Sequence, residues 1–395
     1  MIYSIFPTKD TTIYENSSSI NTGIDEILEI NKIISSSSPE HNLGNKVYNS
    51  RVLMQFDMTS ISESIAGNVI GKTDLKFYLN MFISEASDLP YNYGLEARAV
   101  SQSWEMGIGR LNHYPSTLEG ASWTYRDGVE AGSPWTTSSW APASTGSWTT
   151  ASYVETVGST PGAGNSGEGV TIGGGGTWYT GSSYYGSQTF TYESGDVRMD
   201  ITDMCNKWIS GSIPNHGLLL KRSGSEERDS KQRGSLKFFS RDTHTIYSPR
   251  LEVCWNDASG SFKTGSLEPL DVLNKDNIVY MKHNNGKYKE NSRTRFRVYG
   301  REKWPTKTFA TKSVALDIKY LPSSSYYSIK DAHTDEVVVP FSTKYTALSC
   351  DSNGNYFDLY MDGLQPERHY RFVYKVVSGS RVEFYDKDYL FKVVR

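Results

Sequence analysis

The sequence predicts an all-β protein built from two sandwiches, and three observations carry that expectation. Tyr, Trp and Phe make up 13% of the 395 residues, the mix that suits half-buried pleated surfaces. Gly, Ser and Thr recur between short apolar runs, as tight turns between strands require. Those runs alternate with period two far more often than they repeat at helical spacing.

Taken in order, IYSIFPTKDTTIYE at the start reads as strand ending in a polar loop, and the apolar spacing of Ile24 to Ile34 fits either a strand or a short helix, with strand favoured. Ser50 to Met58 alternates, placing Val52, Met54, Phe56 and Met58 on one face. Asp74 to Ser84 and Tyr93 to Trp104 continue the pattern. From about 120 to 190 a long Gly/Ser/Thr-rich loop carries Trp123, Trp135, Trp140, Trp148 and Trp178. A plain flexible linker would not carry exposed indoles, so they either fold back on the sandwich or form a surface patch.

One helix stands out. Ile201, Met204, Cys205, Trp208 and Ile209 share a helical face, Thr202 with Asp200 and Asp203 supplies N-cap oxygens and negative charge, Gly211 suits the C-cap, and Pro214 stops continuation. Two turns cannot persist alone in water; the helix is expected to plug the end of the β core with Trp208 as anchor. HGLLLKR and SLKFFSRD then read as strands on either side of a charged hairpin tip, SGSEERDSKQRG. Ser248 to Trp255 closes a first domain, 1–256; 257–268 is a linker; and 269–395 forms a second β domain whose turn signals recur every ten or so residues.

Charge separates these parts. Residues 275–395 carry 21 basic and 14 acidic side chains, +7, whereas 1–274 carry 20 basic and 30 acidic, −10. Two domains with different neighbours explain that better than nucleic-acid binding. Cys205, Cys254 and Cys350 lie far apart, which implies free thiols or at most one bridge. The start resembles no secretory signal and no run reaches membrane-spanning length, so neither membrane nor Sec export is expected.

Motifs for chemistry are weak. AGNVIGKT (Ala66 to Thr73) fits a loose phosphate-loop pattern, but a strand, not a helix, follows it. DSNGN (Asp351 to Asn355) resembles the start of a calcium loop without its closing glutamate, and an Asn-Gly hairpin turn explains it better. The seven histidines show no metal spacing, and no nucleophile elbow occurs. No catalytic residue, metal or cofactor is expected. Two surfaces invite attention. Arg293, Arg295 and Arg297 alternate along a strand and continue to Arg301, Lys303 and Lys307, either a docking stripe for an acidic surface or a solvated face. Trp104, Trp123, Trp135 and Trp140 could stack on sugars or pack under loops.

PTKDTTIY, SRVLMQFDMTSI, LKFYL, SWEMGIG, SWTYRDG, the helix segment MDITDMCNKWISGSIPNHGLLLK, LKFFSRD and SPRLEV occur in order. Together they resemble the DNRLRE-type domain, a jelly-roll β-sandwich similar to carbohydrate-binding modules. The likeness spans about Ile2 to Trp255, with SRD where the family's motif has SRE. It implies structural roles for Arg51 and Asp57 as strand-edge charges that pair, Trp208 as plug, and Pro249 with Arg250 before the closing strand. In the C-terminal part, YYSIKDAHTDEVVVPFSTKYTALSCDSNGNYFDLYMDGLQPERHYRFVYKV resembles segments of virion structural proteins of tailed bacteriophages, notably contractile-tailed ones infecting cyanobacteria, and GLQPERHY within it has the look of an immunoglobulin- or fibronectin-like domain. The resemblance implies a non-enzymatic virion subunit of capsid, neck or tail, made in the host cytoplasm. Its partners would be other phage structural proteins and further copies of itself. The alternative is a module that binds host surface glycan.

Overall fold

The computed structural model describes residues 1–395 apart from 36–45, 68–69, 71–73, 130–131, 136–147, 151–152, 157–168, 173, 192–194, 228, 230, 259–261, 307–308 and 310–317. The chain divides into two compact units. One, the N-terminal body, holds Ile5–Glu63 and Lys76–Glu252; the other, the C-terminal body, holds Val253–Arg395 with Met1–Ser4 and Ser64–Leu75. Both are β-sandwiches, as the sequence predicts.

The first strands are β1 (Ile2–Ile5), β2 (Pro7–Tyr14), β3 (Ile27–Ser35), β4 (Lys46–Phe56), β5 (Lys76–Met81), β6 (Ile83–Ser87) and β7 (Asn92–Ala99). The long loop contributes β8 (Trp148–Thr150), β9 (Tyr153–Thr156), β10 (Gly169–Ile172) and β11 (Thr177–Tyr179). Then come β12 (Tyr185–Thr191), β13 (Val197–Asp200), β14 (Leu218–Arg222), β15 (Ser235–Phe239) and β16 (Arg250–Cys254). Helix α1 covers Thr59–Ala66 and α2 Thr202–Ile209.

The large sheet of the N-terminal body runs β12-β7-β14-β4-β3-β15-β6, with β2 also paired to β4; β16, β5 and β13 lie side by side in a second sheet. β4 is the hinge of this arrangement. Its Ser50–Phe56 stretch is flanked by β2 and β14, while Lys46–Asn49 pairs with β3. Val52, Met54 and Phe56 are buried, as alternation predicts, but so are Arg51 and Leu53 on the opposite face. The large sheet is therefore covered on both sides, and the second cover is the long loop: Ile13, Leu53, Val100 and Leu219 pack with Trp104, Ala121, Trp123 and Trp135.

Helix α2 has the bounds its pattern predicts, and Gly211 adopts φ +69 just beyond it, bonding the Trp208 carbonyl. Its start is built differently from the expected cap. Asp200 Oδ1 accepts the Thr202 N–H at 2.9 Å, while the Thr202 hydroxyl accepts the Phe77 N–H of β5 at 3.0 Å. The threonine thus ties the helix to the sheet, and Asp200 supplies the cap.

One buried acid has its charge opposed chiefly by burial, which outweighs the nearby Arg241. Asp10 on β2 is 1% exposed and accepts the Arg241 N–H at 2.7 Å. Burial pushes its pKa up to about 7. Between the unfolded value near ~4 and that folded value, the native state holds the extra proton, so this group makes stability fall as pH rises. Urea unfolding at closely spaced pH values should show that decline, and Asp10→Asn should flatten it.

The C-terminal body contains β17 (Asn277–Lys282), β18 (Lys287–Lys289), β19 (Arg293–Glu302), β20 (Ser325–Asp331), β21 (Val337–Val339), β22 (Ser349–Asp351), β23 (Gly354–Tyr360), β24 (His369–Ser378) and β25 (Arg381–Val394). Two sheets form, β17-β19-β23-β22 and β18-β25-β24-β20-β21, with β18 parallel to β25. Aromatic rings join them. Phe296 of the first sheet lies 4.8 Å from Phe372 of the second, and Phe357 stacks on Tyr327 at 4.2 Å. Such ring pairs add about 0.5–1.5 kcal/mol each beyond area burial. The Tyr370 hydroxyl donates to the Gln365 carbonyl at 2.9 Å across the Leu-x-Pro turn, the corner geometry of immunoglobulin-like sandwiches.

Candidate functional site

Two side-chain assemblies stand out, one inside the N-terminal body and one on the surface of the C-terminal body. The first occupies the charged half of the large sheet's loop-covered face. Lys221 of β14 lies directly opposite Glu96 of β7, with Nζ 2.7 Å from Glu96 Oε1. Glu227 bridges Lys221 at 3.2 Å and Arg51 Nε at 2.6 Å. The Arg51 side chain is 1% exposed, donates to the Gly175 carbonyl, and lies 4.7 Å over Trp123 and 5.3 Å over Trp178. Beside this group, Lys32 is paired with Asp229, which also accepts from Arg233. Burial works against the Asp229 charge, but hydrogen bonds from Arg233 and Lys32 hold its carboxyl well below the usual range.

Glu227 and Asp229 come from the segment expected to be an exposed hairpin tip, but they lie against the sheet instead. β14 and β15 do not pair; β4 and β3 lie between them in the sheet. Glu227 and Asp229 reach Arg51 of β4 and Lys32 of β3 and neutralise cations whose burial without a partner is a severe cost.

Arg51 and Asp57 were expected to pair as strand-edge charges. Instead Arg51 sits within the ion cluster, and Asp57 caps a helix the sequence reading missed. Asp57 Oδ1 accepts the Thr59 N–H at 2.9 Å and its hydroxyl at 2.6 Å, holding the Asp57 carboxyl below its ordinary range. The signal was present as Asp57 followed by Thr59 and the apolar pair Ile61 and Ile65 at i, i+4. Trp208 is 6% exposed and anchors α2, although its indole nitrogen has no hydrogen-bond partner among the described residues. Pro249 is buried, and the Arg250 guanidinium lies 4.9 Å over Phe82.

The tryptophans proposed as glycan contacts are interior. Trp104, Trp123 and Trp135 are each at most 2% exposed, and the Trp104 and Trp135 indoles donate to the His216 and Ser122 carbonyls at 2.9 and 3.0 Å. Trp140 lies outside the described residues. A groove of about 630 Å³ does open beside α1 and the end of α2, between Lys9, Gln55, Asp57, Glu63, Trp208 and Asn215. Its polar walls are mostly bonded to one another: Gln55 donates to the Asn215 carbonyl at 2.8 Å and Asn215 to the Phe56 carbonyl at 2.8 Å.

The second assembly is the outer face of β17-β19-β23-β22. Arg295 faces Asp358 across the sheet and binds it through two nitrogens at 2.8 and 3.0 Å; Arg293 shares the same carboxylate at 2.8 Å. Arg297 grips Asp351 with two bonds of 2.8 and 2.9 Å. The guanidiniums also lie over tyrosines: Arg293 on Tyr360 at 5.1 Å and Arg295 on Tyr356 at 4.1 Å. The expected stripe therefore exists as a stacked Tyr–Arg surface with built-in carboxylates. Arg301 instead bonds the Glu302 carbonyl, and Lys303 lies over Trp304. Lys307 lies outside the described residues. The DSNGN turn joins β22 and β23 as a hairpin, with Gly354 at φ +115, and both Asp351 oxygens are taken by Arg297.

Cys205, Cys254 and Cys350 form no disulfide and are buried. Among the described residues no group of three or more His, Cys, Asp or Glu gathers as metal ligands, and no helix is long and apolar enough to cross a membrane. Of the AGNVIGKT segment, 68–69 and 71–73 lie outside the described residues. No family model matches the sequence, and no curated protein matches it.

Proposed function

We propose that this chain is a non-enzymatic structural or decoration subunit of a bacteriophage particle, working in capsid, neck or tail through contacts with other structural proteins and further copies of itself. The observation that supports it best is the placing of the aromatic and cationic side chains. Trp104, Trp123, Trp135 and Arg51 are consumed in rigidifying the N-terminal body, whereas the C-terminal body turns an Arg- and Tyr-rich sheet face outward. Arg and Tyr are the residues that protein–protein contact surfaces favour. The resemblance of both parts of the chain to virion and surface-module sequences points the same way. The glycan-binding alternative loses three of its named contacts to the core.

Mass spectrometry of gradient-purified phage particles from lysates of the source culture tests the proposal. The chain should copurify with the particles at a fixed ratio to the major capsid protein. Recovery only in the soluble fraction overturns it.

A further inference from the structure

The Tyr–Arg face carries an excess of positive charge that its own carboxylates do not cancel. Lys282 stands opposite Arg297 on the neighbouring strand, so Lys282, Arg293, Arg295 and Arg297 form one patch against Asp351 and Asp358. Asp358 serves two guanidiniums at once, and each guanidinium has five N–H donors, so several donors stay open. The Arg293 and Arg295 side chains are 52% and 47% exposed, and stacking on Tyr360 and Tyr356 holds them in place. Held arginines lose less freedom on binding than loose lysines do. The opposite charge is carried by the same chain: the N-terminal body, Ile5–Glu63 with Lys76–Glu252, holds 26 acidic against 18 basic side chains.

We propose that this face docks on the acidic N-terminal body of a second copy of the chain, joining copies head to tail. The inference rests on the reading that the chain works in multiple copies, and it deepens that reading by naming the partner surface. A contact between two different surfaces repeats from copy to copy, closing a ring if the rotation allows and extending a filament if it does not.

Sedimentation velocity of the full chain tests it, at about 50 mM and about 500 mM NaCl, because salt screens contacts between exposed charges. Concentration-dependent association at low salt, weakened about tenfold or more at high salt, is the expected result. Lys282→Glu should weaken association by a similar factor; Lys282 forms no ion pair among the described residues but lies 5.6 and 5.4 Å over the Tyr280 and Tyr299 rings, so its melting temperature is measured alongside. Arg295→Glu should do the same, with far-UV circular dichroism and melting temperature checking that the body remains folded. Zero-length carbodiimide coupling of the associated wild type should join Lys282 to carboxylates of the N-terminal body of another copy.

A chain that stays monomeric at low salt overturns the proposal. So do unchanged association of both variants, couplings from Lys282 confined to residues after 274, or association that appears only when a nucleic-acid polyanion is added. The particle assay stands apart. A chain found in particles yet monomeric alone overturns this contact only, and a self-associating chain absent from particles overturns the virion reading only.

Discussion

Arg51→Met lowers the stability of the N-terminal body by about 3–5 kcal/mol, the usual cost of removing one partner from a buried ion pair. The loss comes less from the missing attraction than from what remains. Glu227 is 6% exposed and loses its 2.6 Å guanidinium partner, while the Gly175 carbonyl loses a donor. Chemical denaturation followed by tryptophan fluorescence measures the change. A second variant separates the causes. Arg51→Met combined with Glu227→Leu removes the stranded carboxylate and should regain part of the loss, since apolar replacement of both partners is often neutral. If the single variant unfolds within about 0.5 kcal/mol of wild type, as a surface substitution would, the ion cluster does not support the body.

Trp123→Ala is the second large effect, again about 3–5 kcal/mol, from lost transfer free energy together with the cavity left behind. Trp123 is 1% exposed, its backbone carbonyl accepts the Gly175 N–H at 2.6 Å, and its ring faces Arg51. Removing it opens the loop-covered layer at the point where the apolar cluster meets the charged one. Trp304→Ala is the control: at 76% exposed its loss should stay within about 0.5 kcal/mol. Equal stabilities for the two variants would mean that the tryptophan layer is not a core.

These two residues also mark where the sequence could and could not be read. Strands are legible wherever neighbours in sequence share the burden. Ser50 to Met58 shows its inner face by alternation, and α2 shows both its apolar stripe and its glycine stop. The second face of β4 is not legible, because its cover comes from Trp123 and Trp135, about seventy and eighty positions away. Leu53 therefore looks like an ordinary outward leucine, and Arg51 like an ordinary surface arginine. The acids Glu227 and Asp229 are harder still. A run of charged residues between two strands reads as a solvated tip, and only the strand order β14-β4-β3-β15 shows that it must cross over buried cations. The Arg293–Arg297 stripe was legible as alternation, but its partners Asp351 and Asp358 lie more than fifty positions further on.

Two of the three thiols give the molecule an internal clock. Cys205 lies in the N-terminal body and Cys350 in the C-terminal body, both unbridged and shielded from solvent, and burial raises both thiols away from the reactive thiolate form. Each sulfur becomes available to an alkylating reagent only when its own sandwich opens. Peptide mapping of the labelled positions against time would thus date the opening of each body separately, in one tube and with no foreign probe attached.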